Sequence, residues 1–392
     1  MATTPATQFG SNHRTIAAFV IVSLMMLTII CLPAQATPLR FERISTEQGL
    51  SQVAVNTILQ DQEGFIWVGT QHGLNRYDGY EFKVYTNDHT DPNSLANNGI
   101  NTLFKDNQGQ LWIGTNGGLL RYNHQSDNFV SYLHDPDDNT SISGNIIMSI
   151  AQDASGNLWV GTERHGLNRF DASSGKFSHY VHRSDDPTSL ASNGVWELLV
   201  DHNNALWVGT NTGGLCRFNP QTNNFERFDY HSNSPLSITA IFEDKDHALW
   251  VGSRNQDLSR FNSQDNSFSH YPLDNNHKVD PARHRIAAIT QSADNSLWIA
   301  TIGNGLIRFN TQTEQFHRIV HDPMDPLSLS NNDIRTVFED NTGVMWFGAY
   351  AGGINKYNPA TSRFNHYFQQ KNNPDSLLKG SLIWMLYQDN QG

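Results

Sequence analysis

Asp61-Gln62-Glu63-Gly64-Phe65-Ile66-Trp67-Val68-Gly69-Thr70 is the stretch that decides how this chain folds. Its skeleton, Asp-x-x-Gly-x-x-Trp-x-Gly-Thr, returns around Trp112 and Trp159, and in looser form around Trp207, Trp250, Trp298 and Trp346. The gaps between successive tryptophans are 45, 47, 48, 43, 48 and 48 residues. Self-similarity at such a period is the mark of a propeller or solenoid. Seven of the nine tryptophans occupy this one column, and Trp196 and Trp384 stand outside it.

The repeat around Trp346 reads as short strands joined by tight turns. Ile334–Phe338 is β-branched and aromatic, Asp340–Gly343 is a turn, and Val344–Gly348 is a second strand. Gly352-Gly353 turns the chain into a third strand, Ile354–Tyr357; Asn358–Thr361 turns it again before Phe364–Tyr367. Four antiparallel strands per repeat of this length make a propeller blade. The tryptophan fills the space between neighbouring sheets. The glycine two residues later (Gly69, Gly114, Gly161, Gly209, Gly252, Gly348, replaced by Ala300 in the sixth repeat) is expected to permit close backbone approach. Arg76, Arg121, Arg169, Arg217, Arg260, Arg308 and Lys356 form a basic column, read as a repeated scaffold contact to a nearby acid, such as the turn aspartate, rather than an anion-binding ring. The turn aspartates supply too few oxygens for a dedicated calcium site.

An outer-strand signature, Phe followed three residues later by an aromatic or aliphatic residue, occurs eight times, from Phe41/Ile44 to Phe364/Tyr367. The three inner strands occur complete seven times. The pattern therefore predicts an all-β, seven-bladed propeller over 37–363, in which Leu39–Ser45 closes the ring against the Trp346 repeat and removes its free edges. Leu382–Gly392 matches the first strand and turn of a further repeat, so 364–392 is expected to open an eighth repeat or a second propeller in a longer chain. An eight-bladed ring is the alternative.

Residues 1–36 differ in kind. A basic start at His13-Arg14, an apolar run from Ile16 to Leu32 and a small-residue Ala34-Gln35-Ala36 site match a secretory signal peptide. An uncleaved membrane anchor is the competing reading. Without that segment 25 basic residues face 38 acidic ones, a net charge of −13, which disfavours nucleic acid as a partner. One cysteine, Cys216, then remains; its column holds Asn75, Leu120, Asn168, Ser259, Ile307 and Asn355, so it reads as a packing thiol. The fold must be stable through packing without an intrachain disulfide. The histidines show no metal-ligand spacing, and no nucleophile elbow occurs. The chain shows neither a catalytic nor a metal constellation, and no cofactor is expected.

The linker Asp322-Pro323-Met324-Asp325-Pro326-Leu327-Ser328-Leu329 is echoed by Asp91-Pro92-Asn93-Ser94-Leu95 and Asp186-Pro187-Thr188-Ser189-Leu190. Together with Ser330–Ile334, Phe338–Asp340, Trp346–Gly348 and Gly353–Tyr357 it resembles the two-component regulator propeller family, and the resemblance extends from Leu39 to Gly392. It implies a periplasmic sensor region built of tandem seven-bladed propellers. A small β-sandwich and a membrane helix would follow, with a histidine kinase or diguanylate cyclase as output. Some members of the family sense oligosaccharides. The resemblance also implies dimerisation and membrane attachment through segments beyond this sequence, unless the signal segment itself anchors the chain.

A ligand site should break the repeat. Two columns near one face of the disc vary sharply. Eleven residues before each tryptophan stand Asn56, Asn101, Met148, Trp196, Thr239, Ala287 and Arg335; four after it stand Gln71, Asn116, Glu163, Asn211, Arg254, Ile302 and Tyr350. His72, Arg164, His165 and Arg285 lie nearby in sequence. Rings and guanidinium groups around a concave mouth suit a small polar ligand such as an oligosaccharide. Trp196, Arg254, Arg285, Arg335 and Tyr350 are the leading candidates, with His72, Arg164 and His165 behind them. A lyase of the streptogramin-inactivating type and a protein-interaction scaffold are the alternatives.

Overall fold

The computed structural model describes residues 39–228, 237–254, 258–273 and 285–360. The predicted signal segment and the 364–392 extension, with Phe364 and Tyr367, lie outside the described residues. Among those described, seven four-stranded antiparallel sheets are arranged as the blades of a propeller. Blades 1 to 7 are named here by their tryptophans, from Trp67 to Trp346.

Blade 7 contains the closure. Its inner strands are Ile334–Glu339, Met345–Ala349 and Ile354–Tyr357, and its outer strand is Glu42–Ile44 from the start of the propeller. The register pairs Glu42 with Lys356, Arg43 with Asn355 and Ile44 with Ile354. Closure reuses contacts made elsewhere within contiguous blades. The Phe41 amide donates to Leu327 O at 2.8 Å, as Phe177 does to Thr140 O and Phe225 to Thr188 O. Arg43 donates to Ser328 O at 2.9 Å and Leu329 O at 3.1 Å, matching Arg227 on Ser189 O and Leu190 O. The N-terminal strand is thus an ordinary outer strand supplied from the far end of the propeller, and the ring has no free edge there.

Each tryptophan packs on an aromatic ring of the next blade: Trp67 on Tyr122, Trp112 on Phe170, Trp159 on Phe218, Trp207 on Phe261, Trp250 on Phe309, Trp298 on Tyr357 and Trp346 on Tyr77. Centroid distances run from 4.8 Å at Trp67 to 6.2 Å at Trp346. These interfaces hold the seven apolar clusters of the core, with Trp67 fully buried.

The turn aspartate holds the indole. Asp61 Oδ1 accepts the amides of Glu63 and Phe65, and Oδ2 accepts Trp67 Nε1–H at 2.7 Å. Asp106, Asp153, Asp201, Asp244 and Asp340 take the indole of their own blade in the same way. The basic column therefore does not share a single acid, contrary to expectation. It lies over the indole faces instead, at 5.8 Å for Arg76, 5.4 Å for Arg217 and 5.3 Å for Lys356, as cation–π partners. Several members also pair with a nearby acid, each a different one: Arg76 with Asp127, Arg217 with Glu226, Lys356 with Glu42 and Arg308 with Asp294 of its own turn.

The glycine column has a different reason from the one expected. A Cβ on Gly69 would stand 2.6 Å from Ile100 Cγ2 of the next blade and 2.6 Å from Thr57 Cγ2 of its own. Gly114 meets Ile147, Gly209 meets Ile238 and Gly348 meets Val55 in the same manner. The space is kept for a β-branched side chain opening the next blade, more than for a backbone. Cys216 is fully buried and its thiol is pushed up to about 11 by burial, as a packing thiol requires.

Candidate functional site

The first strand of every blade begins with a β-bulge. In blade 4 the register pairs Val195 with Thr210 and then Glu197 with Gly209, so Trp196 has no partner of its own. The same slip isolates Asn56, Asn101, Met148, Thr239, Ala287 and Arg335. A bulge re-aims one side chain out of the alternating pattern. Here it turns all seven towards the axis, where they line one cavity of about 600 Å³. The column that varies most is thus the column that the backbone delivers to the centre.

Several of these side chains also hold neighbouring blades together. Asn56 Nδ2 donates to Ile100 O at 2.8 Å, Asn101 Nδ2 to Ile147 O at 3.0 Å, and Thr239 Oγ1 to Ile286 O at 2.5 Å. Arg335 donates to Asn56 Oδ1 at 2.9 Å across the closure. Asn56, Asn101 and Thr239 therefore have a scaffold explanation. Trp196 does not.

Trp196 is half-buried, and Arg285 of blade 6 places its guanidinium 5.1 Å from the ring centroid. These residues sit two blades apart. Arg335 stacks on Tyr350 at 3.9 Å and lies 3.9 Å from Asp333. Arg254 forms a single backbone bridge to Arg285, and its amide donates to Ser237 O. Five candidates thus gather at one sector of the mouth: Trp196, Arg285 and Arg335 line the cavity, and Arg254 and Tyr350 flank them through Arg285 and Arg335. The other three lie off the cavity lining. Arg164 is exposed and pairs with Glu163 at 3.3 Å, and His72 and His165 are exposed loop residues.

Burial lowers the Arg285 pKa, and the positive charges of Arg335 and Arg254 lower it further, against the opposing pull of Asp333 and Glu197. Glu197, the residue after the bulge, lines the same wall. Burial pushes its carboxyl up to about 8, with Arg285 pulling it back, so it holds a proton at neutral pH. Burial also raises Asp333. The buried Nε1 of Trp196 and Nε of Arg285 and Arg335 find no hydrogen-bond partner among the described residues. Each such group costs about 1–3 kcal/mol. The sector therefore concentrates cations, a neutral carboxyl and unsatisfied donors.

Glu197 and Asp333 were not among the sequence candidates. The signal for Glu197 exists: its column reads Thr57, Thr102, Ser149, Glu197, Ala240, Ala288 and Thr336, one acid among small residues. The linker histidines are accounted for structurally. His134, His182 and His321 pin loops through Nδ1 to Ile142 O, Leu190 O and Leu329 O.

Seven four-stranded blades around a polar axial cavity define a seven-bladed β-propeller. The two component regulator propeller pattern matches residues 49–72, 94–117, 141–164, 189–212, 233–255 and 328–351. The segments omit the Trp298 blade, whose turn has Ser292 in place of aspartate and whose glycine is Ala300. The chain belongs to the two-component regulator propeller family.

A segment of 83 residues, 21% of the chain, is 40% identical to histidine kinase P4 of Formosa agariphila and covers 6% of that protein. The extracellular domain of the hybrid two-component system BT3049 of B. thetaiotaomicron superposes with a TM-score of 0.74 at 29% identity, over 91% of this chain and 46% of that one. The extracellular domain of BT4673 from the same organism gives 0.66 at 26% identity, over 81% and 40%. The chain spans about half the length of these solved relatives or less. A streptogramin B lyase, at 18% identity and a TM-score of 0.61, shares the fold alone. This is a propeller domain of the kind found in hybrid two-component sensors, whose relatives are extracellular.

Proposed function

We propose that the propeller is the extracytoplasmic sensing region of a membrane-bound two-component or diguanylate-cyclase signalling protein. Its ligand is a small, hydroxyl-rich molecule, an oligosaccharide carrying an acidic group, bound at the axial mouth. One observation carries this reading: Arg285 over Trp196, beside Arg335 over Tyr350, with Trp196, Arg285 and Arg335 lining the axial cavity. A planar indole suits the apolar face of a sugar ring, and guanidinium groups bind carboxylate or sulfate in fork geometry. An anion also relieves the mutual repulsion of Arg254, Arg285 and Arg335. Glu197, protonated at neutral pH, donates a hydrogen bond there without repelling it.

The blades are stiff, so ligand binding acts on the joints between this disc and its neighbours in a dimer. Membrane attachment is assigned, in this reading, to segments beyond this sequence or to an uncleaved signal segment. Calorimetric titration with paired neutral and uronic-acid oligosaccharides tests the reading. Saturable binding of an acidic saccharide, weakened by Trp196→Ala and by Arg285→Ala, is the expected result. Binding that ignores both substitutions, or no saccharide binding across the panel, would sink it.

A further inference from the structure

The end of the propeller opposite the mouth carries the turns between the first and second strands. There the repeat makes one inter-blade contact over and over. The residue seven before the tryptophan accepts the amide of the residue five before the tryptophan in the preceding blade. Gln60 accepts from Asn341 at 2.9 Å, Gln152 from Asn107 at 2.8 Å, Gln291 from Lys245 at 2.8 Å and Glu339 from Ala293 at 3.3 Å. Between blades 4 and 5 the same contact joins Glu243 Oε2 to the His202 amide at 2.9 Å. The backbone donor pins Oε2 and leaves Oε1 for the imidazoles.

Two imidazoles meet that oxygen. His202 Nδ1 is hydrogen-bonded to Glu243 Oε1, and His247 Nδ1 lies 3.7 Å from it. The rings stack at 3.9 Å, and one ligand atom from each of the three residues lies within 4.8 Å of the others. His247 occupies the left-handed turn position, with φ 62°. The other blades place Gly64, Gly109, Gly156, Asn204, Asn295 and Gly343 there. A histidine in that conformation is disfavoured by about 1–2 kcal/mol, and its side chain, more than half exposed, packs only on the ring of His202 among the described residues. Lys245, its neighbour, sends Nζ away to Ser292 O of blade 6. The three ligand-bearing residues thus stand at three separate columns whose usual occupants are amides, small residues and glycine.

We infer that His202, Glu243 and His247 form a divalent transition-metal site, taking zinc or nickel, that clips blade 4 to blade 5 at the end of the propeller opposite the mouth. Two neutral imidazoles and one carboxylate are the ligand chemistry of these ions. Metal–ligand bonds of about 2.0–2.2 Å place tetrahedral ligand atoms roughly 3.3–3.5 Å apart. The ligand atoms already lie within 4.8 Å of one another, with His247 Nδ1 3.7 Å from Glu243 Oε1, close to that spacing. The proton between His202 and Glu243 is displaced by the ion, and solvent has access to the remaining coordination position beside His247.

The repeat itself supplies variants that keep the fold. His247→Asn restores the residue used at Asn204 and Asn295, and Glu243→Gln restores that of Gln60, Gln152 and Gln291. The purified chain is titrated with Zn(II) by calorimetry against a weak competing chelator, and unfolding is followed with and without the ion. The expected result is one ion per chain and a zinc-dependent rise in unfolding temperature. Each variant then binds at least about tenfold more weakly, while its unfolding temperature without metal is no lower than the parent's. His247→Asn, which relieves the left-handed strain, can exceed the parent only in the metal-free state. Absence of saturable binding in the parent overturns the inference. So does parental affinity in either variant, which would assign the zinc to other histidines.

Discussion

The indole clamp and the bulge ring are both built once per blade, and they differ in what varies. At the clamp the backbone and the chemistry repeat together: aspartate under the indole nitrogen, a cation over its face, an aromatic ring from the next blade against it. At the bulge ring only the backbone repeats. The register slip is common to all seven blades, while the side chains it delivers run from alanine to tryptophan and arginine. A ring closed on itself needs seven equivalent interfaces, so selection for stability acts on the clamp seven times over. The bulge delivers one side chain per blade to the axis, and those that do not hold the next blade, Trp196 above all, are free to serve a ligand.

The largest effect that tests this contrast is Trp67→Ala. It empties a fully buried site and is expected to cost about 3–5 kcal/mol, read as a lower midpoint in chemical denaturation. Trp196→Ala, the same change at the half-buried ring position, is expected to cost less than half as much. Equal losses would erase the distinction.

Next comes Asp244→Ala. It leaves the Trp250 indole and the amides of Asp246 and Ala248 without their acceptor, and about 2–3 kcal/mol is expected. Blade 6 shows how the loss is softened. Ser292 accepts the Trp298 indole and leans on Asp294 two residues on, and Asp246 stands at that same place in blade 5. Asp244→Ser is therefore expected to retain a clear majority of the stability lost in Asp244→Ala, measured by the same denaturation.

Glu197 sharpens the comparison through pH. Its folded pKa, about 8, lies above the ordinary carboxylate value of about 4.3. Between these values the folded state holds a proton that the unfolded chain has released, so stability falls as pH rises. A loss of about 3–4 kcal/mol is expected between pH 5 and pH 8, and Glu197→Gln should flatten that slope. No such slope is expected from the clamp aspartate Asp340, whose carboxyl is held low against burial by Thr342, Trp346 and the turn amides and is ionised throughout this window. A parent protein with a flat profile would place Glu197 in water.

The smallest effect concerns the ligand. Ionisation of Glu197 brings a negative charge beside a bound acidic group. Affinity for an acidic oligosaccharide is therefore expected to fall severalfold between pH 7 and pH 9, a change of about 1 kcal/mol. In Glu197→Gln the affinity should hold constant. A pH-independent affinity in the parent protein would separate Glu197 from the binding site.

Much of the architecture was legible because a repeat writes its constraints several times. One aspartate before one tryptophan is a weak signal; the same spacing around six of seven tryptophans, with Ser292 at the other, specifies the blade and its turns, and the structure decided seven blades over the eight-bladed alternative. Closure was legible for a related reason, since an outer strand at Phe41 with no inner strands before it has one place to pair. The physical roles of single columns were less legible. The glycines looked like sites of backbone approach because spacing does not reveal that Ile100 or Val55 will arrive from the next blade. The arginines looked like partners of aspartate because opposite charges lie near in sequence, whereas the indole between them takes one on its edge and the other on its face.

Sequence alone determined the periodicity, the blade and the columns in which a site must break the repeat, because those follow from short-range turn chemistry and from alternation along strands. The tertiary structure decided which odd residues meet. Trp196 and Arg285 stand in different columns and two blades apart, and only the curvature of the closed ring brings guanidinium over indole. His202 and Glu243 are 41 residues apart, and only the sheet-to-sheet stagger sets the carboxylate beside the two stacked imidazoles. Contacts within a blade are encoded locally; contacts across the axis and between blades depend on the angle at which each sheet packs on the next, and that angle is set by all seven interfaces together.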